Sequence, residues 1–124
     1  MKFFSNLNMK KTDAELPVIQ KAHDLIVWYV PLLNKLPRDH KHMLGDRIIT
    51  GLYEVLEGLI RARYAREKRA QLEAINVQLE LLRRQTRLLL DFKLIDAQRF
   101  AHAANHINEV GVNLGGWLKQ QKTI

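Results

Sequence analysis

Apolar residues return every three or four positions along most of this chain, and three prolines and a few polar clusters are the main interruptions. Ile19, Ala22, Ile26, Tyr29 and Leu33 fall on one face of a helix that starts near Pro17, since proline is tolerated in a first turn. Pro31 lies inside this pattern and predicts a kinked or irregular last turn, and Pro37 closes the segment by steering Leu36 away from helical backbone angles. A second helix is expected from about Asp39, a candidate N-cap, to about Arg66, with Leu44, Ile48, Leu52, Val55 and Leu59 as its apolar stripe. A third runs from about Glu67 to Asp91 on Leu72, Ile75, Leu79, Leu82, Thr86 and Leu89. Asp96, after Phe92-Lys93-Leu94-Ile95, is the expected N-cap of a fourth helix striped by Ala97, Phe100, Ala104, Ile107, Gly111, Leu114 and Leu118.

No alternating strand pattern, internal repeat or low-complexity tract appears. Sustained helical spacing with short connections predicts an all-α, up-down antiparallel four-helix bundle. It forms one domain over residues 13–124, with residues 1–12 expected to be disordered. Apolar residues make up 47% and charged residues 27% of the 124-residue chain, a globular composition that excludes global disorder. There is no cysteine, hence no disulfide framework, thiolate metal site or cysteine nucleophile. No apolar run approaches the ~20 residues of a membrane span. The start of the chain is too short and too polar for a secretory segment. A soluble cytoplasmic protein is expected.

Charge changes the picture. The formal net charge is +7, and residues 61–93 alone hold nine basic and four acidic side chains. A localised basic field attracts polyanions, nucleic acid among them. The competing explanation is a solvated helix surface whose charges are partly paired.

Several segments then resemble a known family. They are Pro17 to Ala22, Asp24 to Trp28, Leu33-Asn34-Lys35-Leu36-Pro37-Arg38-Asp39-His40, Leu44-Gly45-Asp46-Arg47-Ile48, Leu52-Tyr53-Glu54, Ala62-Arg63-Tyr64 and Gly111 to Leu118. Together they resemble the accessory variability determinant (Avd) proteins of diversity-generating retroelements, part of a wider four-helix-bundle family that includes proteins of ribosomal RNA intervening sequences. The resemblance runs from Pro17 to about Lys119. It implies a non-enzymatic, basic, barrel-shaped homopentamer without cofactor, which binds the reverse transcriptase of its retroelement and the template RNA. The alternative is a structural bundle of the intervening-sequence type, whose basic face meets an acidic protein partner.

The basic residues fall into two groups. Arg83, Arg84 and Arg87 lie on the third helix. Arg83 and Arg87 are four apart, on one face, and can address successive phosphates; the resemblance also places basic residues there. Against this, Glu80 to Arg84 and Arg87 to Asp91 are i,i+4 pairs, each worth only ~0.3–0.5 kcal/mol. Arg61, Arg63, Arg66, Lys68 and Arg69 cluster at the turn between the second and third helices, where cations suit either phosphate binding or the negative end of a helix dipole. Tyr64 is the only aromatic residue among them, so stacking on single strands is poorly served. No groove-reading motif is visible. Contact with RNA, and possibly DNA, is therefore expected mainly through phosphates.

Other motifs carry less. His102 and His106 share zinc-pair spacing but lack an evident third ligand, and Asp39-x-x-His42 is a single copy of a motif that di-iron bundles need twice. No metal site is expected. Glu54 and Glu57 read as solvated charges, and no catalytic triad or phosphate loop is present. Ala101, Ala104, Asn108, Gly111 and Gly115 make a lane without bulk on the fourth helix, which suits close packing within the chain or contact between subunits. Trp28 and Trp117 are expected as core or interface anchors, Trp117 being grouped with that lane as a candidate interface residue.

Overall fold

A computed structural model describes residues 15–121. The segment 1–12 expected to be disordered lies outside the described residues. Four long helices account for most of the chain: α1 (Glu15–Asn34), α2 (Asp46–Tyr64), α3 (Arg69–Asp91) and α4 (Ala97–Gln120). No strand occurs among the described residues. A helical turn, Arg38–His40, and a π-helical turn, Lys41–Gly45, lead straight into α2. Helical backbone therefore begins close to Asp39, but Asp39 does not cap it. Pro37 occupies the N-cap position with extended angles (φ −54°, ψ 148°), and no side chain closes the turn.

Pro31 does not end the helix, since α1 continues through it to Asn34. Pro31 and Val27, whose carbonyl loses its usual partner, are both exposed, so the missing hydrogen bond falls on the solvent side. Short connections turn successive helices antiparallel, and α1 and α3 each pack against both α2 and α4, which closes the bundle.

The core follows the apolar stripes closely on three helices. All six stripe residues of α3 are buried, as are Ile48, Leu52, Val55 and Leu59 of α2, with Leu44 half-buried ahead of them. On α1, Ala22, Tyr29 and Leu33 are joined by Val18 and Leu25, while Ile19 and Ile26 flank them. On α4 the expected stripe is corrected. The buried residues are Ala103, Ile107, Val110, Leu114 and Trp117, whereas Ala97 is exposed and Phe100, Ala104, Gly111 and Leu118 sit to one side. Both stripes share Ile107 and Leu114. Burial scales with apolar area, at about 25 cal/mol per Å2, so rotating α4 to bury Val110 and Trp117 rather than Ala104 and Gly111 gains more.

Inside this apolar interior Tyr29 Oη and Thr86 Oγ1 lie 2.6 Å apart and satisfy each other, linking α1 to α3. Burial pushes the Tyr29 phenol up to about 12, the hydrogen bond with Thr86 pulling the other way. Asp96 caps α4 as expected, its Oδ1 accepting from the Arg99 backbone N–H at 2.8 Å. At the end of α3, the Leu94 N–H donates to the Leu89 carbonyl and the Lys93 N–H to the Leu90 carbonyl, both at 2.9 Å. This paired closure is a Schellman cap, and Lys93 takes its left-handed position with φ 61°.

Candidate nucleic-acid interface

On α3 the Arg84 and Arg87 side chains are exposed, while Arg83 is half-buried beside the core stripe. Arg83 Nη1 donates to Glu80 Oε1 at 2.9 Å, and Arg87 Nε to Asp91 Oδ1 at 2.9 Å. The second pair is the one expected. The first corrects the expectation that Glu80 would meet Arg84: Glu80 turns to Arg83, three residues on, and no acid reaches the exposed Arg84 among the described residues. Ion pairs this exposed are worth ~0.2–1 kcal/mol, so a phosphate can exchange for either carboxylate at small cost.

The cluster at the α2–α3 turn divides. Lys68 folds back and donates from Nζ to the carbonyls of Ala62, Arg63 and Ala65 at 2.8, 2.8 and 2.9 Å. They lie at the end of α2, where only the Ala62 carbonyl also accepts a backbone N–H, from Ala65 at 3.2 Å, so the ammonium acts as the cap of that helix. Arg63 reaches Glu15 at the start of α1 (3.6 Å), with both side chains about nine-tenths buried, and its guanidinium lies 5.6 Å from the Tyr64 ring. Lys68 and Arg63 thus hold the turn together. Arg69 makes a long contact with Glu73 at 3.4 Å, while Arg61 and Arg66 extend into solvent. Arg61, Arg66 and Arg69 at the turn, with Arg83, Arg84 and Arg87 along α3, are the cations that a phosphate backbone can reach.

The lane of small residues on α4 also divides. A Cβ on Gly111 would stand 2.8 Å from Arg83 Nη2 and 3.9 Å from Leu79 Cδ1, so this glycine lets the arginine cross the helix. No described atom comes within 4 Å of a Cβ on Gly115, while Ala101 and Asn108 are exposed and Ala104 is half-buried. Trp117 is fully buried in the core of its own chain and offers no surface to a second copy, which removes it from the interface candidates.

His102 and His106 hydrogen-bond to each other through their Nε2 atoms (2.9 Å) and lie beside Trp28, with ring centroids at 4.8 and 6.1 Å. Among the described residues no group of three His, Asp or Glu side chains could hold a metal ion. Asp39 is exposed, as is His42, which lies 3.9 Å from Asp46. Glu54 accepts from Gln78 at 2.6 Å rather than pairing with Glu57. No described helix is long and apolar enough to cross a membrane.

A second set of cations, Lys35 and Lys93, stands at the far end of the bundle, where the charge pattern alone did not single them out. The signal lay in Phe92-Lys93-Leu94: a helix exit that carries lysine where glycine would be expected.

Comparison with known proteins adds one finding. No curated protein and no solved structure matches the chain. A family model described as bAvd-like matches residues 16–121, nearly all of the bundle. A chain of four packed helices carrying basic residues along α3 thus belongs to the bAvd-like family, the accessory variability determinant proteins of diversity-generating retroelements.

Proposed function

We propose that this chain is a cytoplasmic, non-enzymatic subunit that binds nucleic acid, acts with the reverse transcriptase of its retroelement and that enzyme's template RNA, and supports mutagenic copying as a barrel-shaped homopentamer. The bAvd-like match over residues 16–121 carries this reading. Arg61, Arg66 and Arg69 at the turn, with Arg83, Arg84 and Arg87 along α3, support the nucleic-acid part, since arginines spaced along one helix suit successive phosphates. Symmetric repetition of a modest patch would strengthen binding through avidity, provided one polymer reaches several subunits.

The test is co-expression with the reverse transcriptase of the same retroelement and with its template RNA, followed by purification and light scattering. The expected result is one complex of all three components, and for the chain alone a mass about five times 14.5 kDa. A monomeric chain that passes through the column without the enzyme would overturn the reading and favour the intervening-sequence alternative.

A further inference from the structure

At the end of the bundle away from the α2–α3 turn, α1, the α3–α4 connection and the start of α4 surround a groove of about 940 Å3. Trp28, Leu32, Leu36 and Leu94 line its apolar part, and Lys35 and Lys93 stand exposed on its rim. No acid reaches either lysine among the described residues. The one carboxylate of the lining, Asp96, is already engaged, accepting from the Arg99 backbone and from its guanidinium at 3.1 Å. The rim therefore carries uncompensated positive charge around an apolar floor.

Lys93 supplies a second, independent observation. It holds the left-handed position of a Schellman cap, where glycine is unstrained and a side chain with a Cβ is not. A residue that is locally unfavourable and points a cation at a groove is the pattern expected when backbone comfort yields to binding.

We infer that this groove docks a partner protein through a short acidic segment, whose apolar side chains lie against Trp28, Leu32 and Leu94 and whose carboxylates meet Lys35 and Lys93. Nucleic acid fits it less well. Phosphates would satisfy the lysines but leave the aliphatic floor uncovered. The Trp28 ring is already flanked by His102 and by the edge of Tyr29 at 5.3 Å, which restricts stacking of a base. The inference rests on the proposed accessory role only in requiring a protein partner.

The test is to pan a display library of random dodecapeptides against the full chain and synthesise the enriched peptides. Their binding is then measured by the emission of Trp28, Trp117 being sealed in the core. The expected winners combine Asp or Glu with Leu or Phe, and the K35A/K93G variant binds them at least about fivefold more weakly. K93G alone should melt roughly 2–5 °C higher than the parent chain, because glycine relieves the strain at that position. Absence of enrichment, winners without acidic residues, or unchanged affinity in K35A/K93G would overturn the inference. A lower melting temperature for K93G would do the same, by making Lys93 a structural residue. So would a single-stranded RNA that displaces the peptides equally well from the R83A/R87A variant. RNA binding retained by K35A/K93G leaves the accessory reading standing whichever way the peptides behave.

Discussion

The guanidinium of Arg83 crosses α4 at Gly111, so close that a Cβ on the glycine would stand 2.8 Å from Nη2. The atom in the way is the far end of a flexible side chain, which can move aside. Glycine inside a helix is less stable than alanine by about 0.5–1 kcal/mol. Gly111→Ala should therefore leave stability unchanged or raise it by up to ~1 kcal/mol, while displacing Arg83 from the groove between α3 and α4. Urea unfolding checks this prediction. A loss of more than ~1 kcal/mol would show that Arg83 is held rigidly there.

Lys68 separates structural from binding cations. Its ammonium serves three carbonyls at the end of α2, and removing this partly buried, charge-assisted donor takes a partner from the Arg63 and Ala65 carbonyls and leaves Ala62 only the Ala65 N–H. Lys68→Ala should cost about 1–3 kcal/mol in chemical denaturation with little effect on RNA affinity. Replacing the exposed Arg61 and Arg66 should do the reverse.

The Tyr29–Thr86 pair gives the core a pH signature. The folded phenol titrates near 12 against a usual 10.0, so the stability it contributes is complete below pH 10 and is lost as pH rises towards 12. A displacement of that size corresponds to about 2–3 kcal/mol. Tyr29→Phe should remove that part of the alkaline decline, measured as unfolding free energy between pH 9 and 12 against the parent chain. In a double-mutant cycle with Thr86→Val, each single change should cost about 1–3 kcal/mol and the pair less than their sum, since one orphaned hydroxyl disappears with the other.

These residues also show how far the sequence could be read. The α3 stripe was legible to the residue because Leu72, Ile75, Leu79, Leu82, Thr86 and Leu89 keep an unbroken spacing of three or four. On α4 two stripes share Ile107 and Leu114, and only the partner helices decide which one turns inward. The basic stretch was visible as composition, but which cations stay exposed was not. Whether Glu80 meets Arg83 or Arg84 depends on side-chain direction, and Lys68 caps α2 because the turn brings it back, a geometry that spacing along the chain does not encode. The left-handed angle at Lys93 is likewise a product of the cap's closure.

The most direct test of the account is the salt dependence of RNA binding by the parent chain and by R83A/R87A. Each neutralised phosphate contributes ~0.7–0.9 to the slope of log affinity against log salt. Removing two contacting arginines should therefore weaken binding to RNA and DNA together and flatten the slope by about 1.4–1.8, with helicity and oligomeric mass unchanged. An unchanged affinity and slope in the double variant would contradict it, and would leave Arg83 and Arg87 as a solvated surface paired only with Glu80 and Asp91.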